Sequence, residues 1–224
     1  MTTASNINNS FFQGLHHQVW RKIIPEGLSE AEVSFLEALF AAEKKLTVLD
    51  IMCGYGRHAL ELGRRGHQVT ALDNLDVYIQ DIINTAAAED LPVTADVADV
   101  VQAEFPAGND LVICMGNSFA FFEPHTAQQL LHHTAQSLRT GGKLVINTWT
   151  LAEISMKYYK ERDWFWAGDF KYITENKFHF FPSRIEAQHT ILGPDGQSET
   201  RTGIDYMYSM GDMERMLHAA GMHI

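Results

Sequence analysis

The spacing of apolar positions changes several times along the chain, and each change marks an element. Phe11, Phe12, Leu15, Val19, Trp20 and Ile23 recur at helical spacing, and Pro25 stops the run. Ser29-Glu30-Ala31-Glu32 reads as a capping box ahead of Val33, Leu36, Leu39 and Phe40, which predicts a second helix to about Glu43. Residues 46–51 form a short apolar run with Val48, Leu49 and Ile51, as expected of a parallel strand buried on both faces. Cys53-Gly54-Tyr55-Gly56 breaks it. From Arg57 the spacing turns helical, with Ala59, Leu60 and Leu62 on one side, and Gly63 and Gly66 are read as ending that helix before a strand over 68–72. A helix over 77–88 follows, with Ile79, Ile82, Ile83 and Ala86 toward a sheet, then a short strand over 91–95 and an apolar strand over 110–115. Ala127, Leu130, Leu131, Thr134 and Leu138 mark an amphipathic helix over 126–139, capped by Thr140-Gly141-Gly142 before a fifth strand over 143–148. Strands alternating with helices predict an α/β fold, Rossmann-like, with a doubly wound and mostly parallel sheet.

From Trp149 the pattern is different. Trp149, Tyr158, Tyr159, Trp164, Phe165, Trp166, Phe170 and Tyr172 crowd together, and alternating segments follow over 177–181, 184–192 and 200–208. Gly193-Pro194-Asp195-Gly196 is a strong hairpin turn between the last two. An antiparallel β insertion after strand 5 is predicted, its aromatic residues lining a substrate lid or burying a sheet edge. A last helix over 210–220 is closed by Gly221. The chain reads as one domain, 1–224: a helical N-terminal cap over 1–45 whose first ten residues are expected to be disordered, a core over 46–148, the insertion over 149–210 and the last helix over 211–224.

The glycine turn at 53–56 carries the chemistry. Glycines let the backbone turn tightly and approach a ligand, and the new helix offers free N–H groups to an anion. Asp73, ending the second strand, can accept two hydrogen bonds from a ribose diol, so a nucleoside-bearing ligand is implied. Gly54 to Ala59 satisfies the dinucleotide pattern G-x-G-x-x-A, which does not choose the cofactor. Asp50 helps to choose. A carboxylate four residues before Gly54 gains nothing beside a pyrophosphate, whereas a ligand with an ammonium group gains.

Asp50, Gly54, Gly56 and Asp73 resemble the first motif and second-strand acid of the class I S-adenosylmethionine (SAM) methyltransferases, with Met52 where that motif usually has its first glycine. The resemblance implies SAM as cofactor, held by Asp50, Gly54, Tyr55, Gly56, Asp73, Asn74, Asp96, Val97 and Met115. Asp96 would accept from the adenine amino group, and the Val97 N–H would meet a ring nitrogen. Gly116-Asn117-Ser118-Phe119 is similar to the fourth motif, which places polar residues near the transferable methyl, and Gly-Asn-Ser-Phe-Ala resembles that loop in glycine and sarcosine N-methyltransferases. This implies a positioning role in catalysis for Asn117, and an acceptor site built from Asn117, Trp149 and Trp166. In the family, helices before the first strand commonly fold over the cofactor; Phe12 and Trp20 read equally well as core packing. The family's sheet normally continues through a reversed final strand, so either more residues follow Ile224 or the sheet is short.

The implied activity is methyl transfer from SAM to a small-molecule amine or hydroxyl. An NAD(P)-linked oxidoreductase, resting on G-x-G-x-x-A alone, and a nucleoside- or SAM-binding protein without catalysis stay open as alternatives. A hydroxyl acceptor would require a base, for which His179 and His189 are candidates, against a reading of both as exposed strand histidines.

Composition narrows the partners. The chain has 224 residues, 46% hydrophobic and 20% charged, enough for one sizeable core. Its net charge is −11, and its basic residues form no run beyond pairs such as Lys44-Lys45 and Arg64-Arg65, which argues against nucleic acid. Cys53 and Cys114 are expected as buried reduced thiols, consistent with a cytoplasmic protein. No signal peptide opens the chain, and no apolar run approaches the ~20 residues of a membrane span, so no membrane partner is expected. His132-His133 point in different directions on their helix, so no metal site is expected. Oligomeric state is not legible.

Overall fold

The computed structural model describes residues 6–40 and 45–224. In chain order the elements are helices α1 (Leu15–Ile23) and α2 (Leu28–Ala38), strand β1 (Thr47–Ile51), α3 (Arg57–Arg64), β2 (Gln68–Asp73), α4 (Asp76–Ala88), β3 (Val93–Val97), β4 (Asn109–Cys114), α5 (Pro124–Ser137), β5 (Leu138–Ile146), α6 (Ala152–Tyr158), β6 (Arg162–Ala167), β7 (Phe170–Phe180), β8 (Ser183–Leu192), β9 (Ser198–Tyr206) and α7 (Met210–Ala219). The chain divides into two compact units. One comprises Glu26–Phe119, Thr126–Thr148 and Met216–Ile224; the other joins the described residues up to Pro25 with Ala120–His125 and Trp149–Arg215.

The first unit is built on a parallel sheet of order β3-β2-β1-β4-β5. Val48 of β1 lies opposite Val69 of β2 on one side and Leu111 of β4 on the other. These strands are buried because their apolar runs serve both faces, and Val48, Ala71, Leu111 and Ile113 join Ala59, Leu62, Ile79 and Ile82 in the core. Crossovers leave β1 in opposite directions, so the carboxyl ends of β1 and β4 flank the crevice where open α/β sheets bind ligands.

Several local expectations change. No capping box forms: Gly27, left-handed at φ 77°, precedes α2, and no side chain caps it. Helix α2 stops at Ala38, and residues 41–44 of its expected extension lie outside the described residues. Gly63 packs inside α3, where a Cβ would come 2.4 Å from Val93; Gly66, at φ 83°, ends the helix instead. Ile83 is 41% exposed because Tyr78, Ile79, Ile82 and Ala86 already fill the inward face of α4. Strand β3 begins two residues late, since Leu91 is tied back to Ala86 in the turn, which leaves Asp96 and Val97 as its last two residues. Thr140-Gly141-Gly142 does not cap α5. It lies within β5 as an irregularity, with Asn109 opposite Leu138 but Leu111 opposite Lys143, while the Ser137 carbonyl is satisfied by the Gly108 N–H and the Asn109 amide.

The second unit is the antiparallel insertion, a sheet of order β6-β7-β8-β9. Of the aromatic stretch, Trp164 to Tyr172 falls in β6 and the start of β7, while Trp149, Tyr158 and Tyr159 lie around helix α6, and 193–196 is the hairpin turn between β8 and β9. Helix α1 covers one face, where Val19 packs with Ala167, Tyr172 and Ile191. It starts at Leu15 rather than near Phe11, because Gly14 at φ 62° breaks the backbone there and Glu199 of β9 accepts from the Leu15 N–H at 2.8 Å. Residues 7–10 form a 3-10 turn, not a disordered lead. Within it the Asn8 carboxamide pairs with both the N–H and the carbonyl of Ile204, closing part of the β9 edge. Phe12 and Trp20 pack edge-on at 5.0 Å inside this unit.

Candidate functional site

The glycine turn lies at the carboxyl end of β1. Asp50 is 1% exposed, and its buried Oδ2 has no hydrogen-bond partner among the described residues. Burial pushes this carboxyl up to about 8, with Arg57 pulling it down and Asp73 adding to the rise. Met52 takes φ 56°, the left-handed conformation that suits the glycine it replaces, so the turn keeps a glycine-like path at a cost of about 1–2 kcal/mol. A Cβ on Gly56 would strike Ile82 at 2.4 Å, whereas one on Gly54 would meet nothing within 4 Å. Gly56 is thus required by packing, and Gly54 leaves backbone open to a ligand.

Asp73 holds the turn from β2. One carboxylate oxygen accepts from the Gly54 N–H at 2.9 Å and the other from the Leu75 N–H at 3.0 Å. Burial raises its pKa, and these backbone bonds pull it back. Each oxygen keeps a second lone pair for a ribose hydroxyl. Asn74 is exposed, and so are Asp96 and Val97 at the end of β3. The rings of Tyr55 and Tyr78 lie 6.2 Å apart beside the turn. The residues present therefore fit SAM: an unsatisfied buried carboxylate for its ammonium, Asp73 for its ribose and exposed groups for its base.

Across the crevice, Met115 is buried after β4, and Gly116 and Asn117 follow with φ 68° and 72°. The Asn117 carboxamide oxygen accepts from the Thr148 hydroxyl at 2.7 Å, and its N–H bonds the Asn147 carbonyl. Asn117 therefore ties the end of β4 to the end of β5. A cavity of about 300 Å³ nearby is lined by Ala31, Glu32 and Phe35 of α2 with Met115, Val145, Ile146 and Asn147. Cys53 and Cys114 are both free and buried, and burial followed by the charge of Asp50 raises both thiols.

Sequence reasoning missed a clamp on α2. Glu32 accepts from the Arg57 guanidinium and from His58 Nε2 at 2.9 Å. Burial works to raise the Glu32 carboxyl, yet these bonds and the Arg57 charge bring it down to about 2. Glu37 repeats the arrangement with Arg65 at 2.6 Å and His67 at 2.9 Å. Only the five-residue spacing of two glutamates on a helix hints at it.

In the antiparallel unit the remaining candidates separate by face. His189 bonds the Tyr172 hydroxyl at 3.0 Å on the face that α1 covers, and burial, then the charge of His16, lowers it to about 4. His179 lies on the opposite face and pairs with Glu186 at 3.0 Å. Both are half-buried, not exposed. Trp166 is 62% exposed on the same outer face as His179, and Trp149 is 51% exposed before α6. Among the described residues no group of three or more His, Cys, Asp or Glu is placed to hold a metal, and no helix is long and apolar enough to cross a membrane.

Residues 48–142 match the family model described as a methyltransferase domain. Over that stretch the chain is similar to a methyltransferase domain. Its fold is that of the SAM-dependent class: the structure of SAM-bound CalS10, an amino pentose methyltransferase from Micromonospora echinaspora, covers 93% of this chain and 89% of its own with a TM-score of 0.72 at 16% identity. The glycine N-methyltransferase of Oryctolagus cuniculus is 27% identical over 162 residues, which are 64% of this chain and 55% of that protein. The ubiquinone biosynthesis O-methyltransferase of Rickettsia typhi is 25% identical over 146 residues, 61% of this chain and 58% of that protein. The chain thus spans about half the length of the curated relatives it matches.

Proposed function

We propose that this chain binds SAM at the carboxyl edge of its parallel sheet and transfers the methyl group to a small-molecule amine or hydroxyl. The observation that carries the reading is the Asp50 carboxylate, buried with an unsatisfied oxygen at the mouth of a glycine turn. The ammonium of a methionine moiety matches it, and a pyrophosphate does not. Asp73 holds the ribose, Asp96 and Val97 the adenine, Tyr55 and Asn74 flank the nucleoside, and Gly54, Gly56 and Met115 shape the crevice. SAM supplies the methyl group. The protein's task is to hold donor and acceptor in line. Asn117 acts as a positioning residue by bracing β4 against β5, and Trp149 is assigned to the acceptor. Trp166, exposed on its strand, is assigned to the acceptor as well. The relatives named for glycine and amino pentose methylation support an amine, and the O-methyltransferase supports a hydroxyl.

Calorimetric titration with SAM and separately with NAD, paired with a methyl-transfer assay, tests the reading. Binding of SAM with methyl transfer is expected. Binding of NAD but not SAM would establish the oxidoreductase instead, and SAM binding with no transfer to any acceptor would leave a binding protein.

A further inference from the structure

Asp50 answers only half of the methionine end of SAM, which is a zwitterion and brings a carboxylate beside its ammonium. A carboxylate that leaves water requires a cation or aimed N–H groups. In the parallel unit the described cations other than Arg57 stand elsewhere. Arg64 and Arg65 close the far end of α3 on Glu89 and Glu61, and Lys45 donates to the Arg65 carbonyl. Arg139 holds Asp110 near the amino end of β4, and Lys143 lies opposite Leu111 with its ammonium over the Phe40 ring. Arg57 opens α3 directly after the glycine turn, at the carboxyl edge of the sheet. Val48 shares a core cluster with Val33 and Leu36 of α2, and Asp50, two residues on, takes the same face. Asp50 accepts from the Ala59 N–H in the first turn of α3, while its Oδ2 has no hydrogen-bond partner among the described residues. The Arg57 side chain, 12% exposed, reaches Glu32 of α2. Its bonds to Glu32 and to the Ser29 hydroxyl both leave from Nη1, and the N–H groups of Nε and Nη2 have no partner among the described residues. Asp50 and Arg57 act on each other's charge with no hydrogen bond between them. Glu32 thus holds a guanidinium near an unsatisfied carboxylate with one side free, and a zwitterion answers both.

We infer that Arg57 binds the methionine carboxylate of SAM through Nε and Nη2, so that Asp50 and Arg57 together recognise the amino-acid end of the ligand. This rests on the SAM-binding reading and adds to it a cofactor-binding residue and a selectivity, against nucleosides that carry no α-carboxylate. The two N–H groups match the two oxygens of a carboxylate in a fork geometry that lysine does not supply. Glu32 and Ser29 set the guanidinium in place before the ligand arrives, which lowers the ordering cost of binding. The demethylated product keeps the same amino-acid end, so the pair holds it as firmly as SAM and contributes to binding rather than to the methyl-transfer step.

The test is calorimetric titration of the full chain with SAM, its demethylated product, decarboxylated SAM and methylthioadenosine. The wild type should bind SAM and the demethylated product about tenfold or more tightly than decarboxylated SAM. Arg57→Gln should weaken the first two by about 10- to 100-fold and leave decarboxylated SAM and methylthioadenosine within about twofold. Arg57→Lys should fall between the two proteins. Glu32→Gln separates this role from the clamp on α2, because it loosens the clamp and leaves the guanidinium; the preference for SAM over decarboxylated SAM should survive it. Equal wild-type affinity for SAM and decarboxylated SAM, unchanged SAM affinity in Arg57→Gln, or a loss in that variant shared equally by all the ligands would overturn the proposal. So would loss of the preference in Glu32→Gln. Failure of the wild type to bind SAM would overturn the SAM-binding reading itself. Should Arg57→Gln fail to fold by circular dichroism, Arg57→Lys decides, and SAM affinity that is unchanged there, or that falls in step with decarboxylated SAM, rejects the role.

Discussion

The two sheets keep their buried polar groups in different places. On the parallel sheet the buried carboxylates of the glycine turn stand at strand ends, Asp50 one residue from the end of β1 and Asp73 at the end of β2, where backbone N–H groups of the turn meet Asp73. In the antiparallel unit they meet on a strand face: His189 with Tyr172, His16 reaching them from α1, and Asp205 in its cross-strand row. Strand ends are open to a ligand, so an unsatisfied carboxylate there is an offer of binding. A strand face is covered by whatever packs on it, so a titratable group there ties stability to pH. His16 shows the second case, 2% exposed with neither ring nitrogen hydrogen-bonded among the described residues.

The largest effects should come from the strand ends. Asp50 is protonated more readily in the folded chain than in the unfolded one, so it costs stability progressively as pH rises from about 4 to about 8. Asp50→Asn should therefore stabilise the ligand-free protein at pH 7 by about 2–4 kcal/mol while weakening SAM and its demethylated product alike. Thermal melts with and without SAM check both signs, and a destabilised free variant would mean that Asp50 is already satisfied. Gly56→Ala combines a left-handed backbone with a clash on Ile82, and should cost about 3 kcal/mol in denaturant unfolding. A loss below about 1 kcal/mol would show that Ile82 yields.

Next in size is the acid response, which sharpens the contrast between units. The folded pKa of His189 is about 4 against an ordinary 6.5, so the unfolded chain binds the proton first and stability is lost as pH falls between those values. Glu32, at about 2 against 4.5, gives stability that is present above 4.5 and lost as pH falls toward 2. Hydrogen exchange should therefore show β7 and β8 loosening at milder acid than α2. The reverse order would break the comparison. Smallest is Met52→Gly, where relief of the left-handed strain is offset by glycine's own entropy, leaving a change under about 1 kcal/mol with SAM affinity kept.

What the sequence determined by itself lies along the backbone. Runs of apolar residues at period two or 3.6 set where strands and helices occur, and the turn at 53–56 with Asp50 and Asp73 marked the ligand edge, because such signals join residues a few positions apart. The positive φ of Met52 was foreshadowed by its place in the motif, but whether methionine could follow a glycine's path was decided only by the fold. Tertiary structure alone decided which groups meet across long separations. Glu32 finds Arg57 and His58, Asn117 finds Thr148, and Asp205 joins a row with Phe178 and Ile185. It also chose the face for His179 and His189, because moving a strand by one residue turns every side chain to the other side, and no local spacing in β7, β8 or β9 states which side α1 will cover.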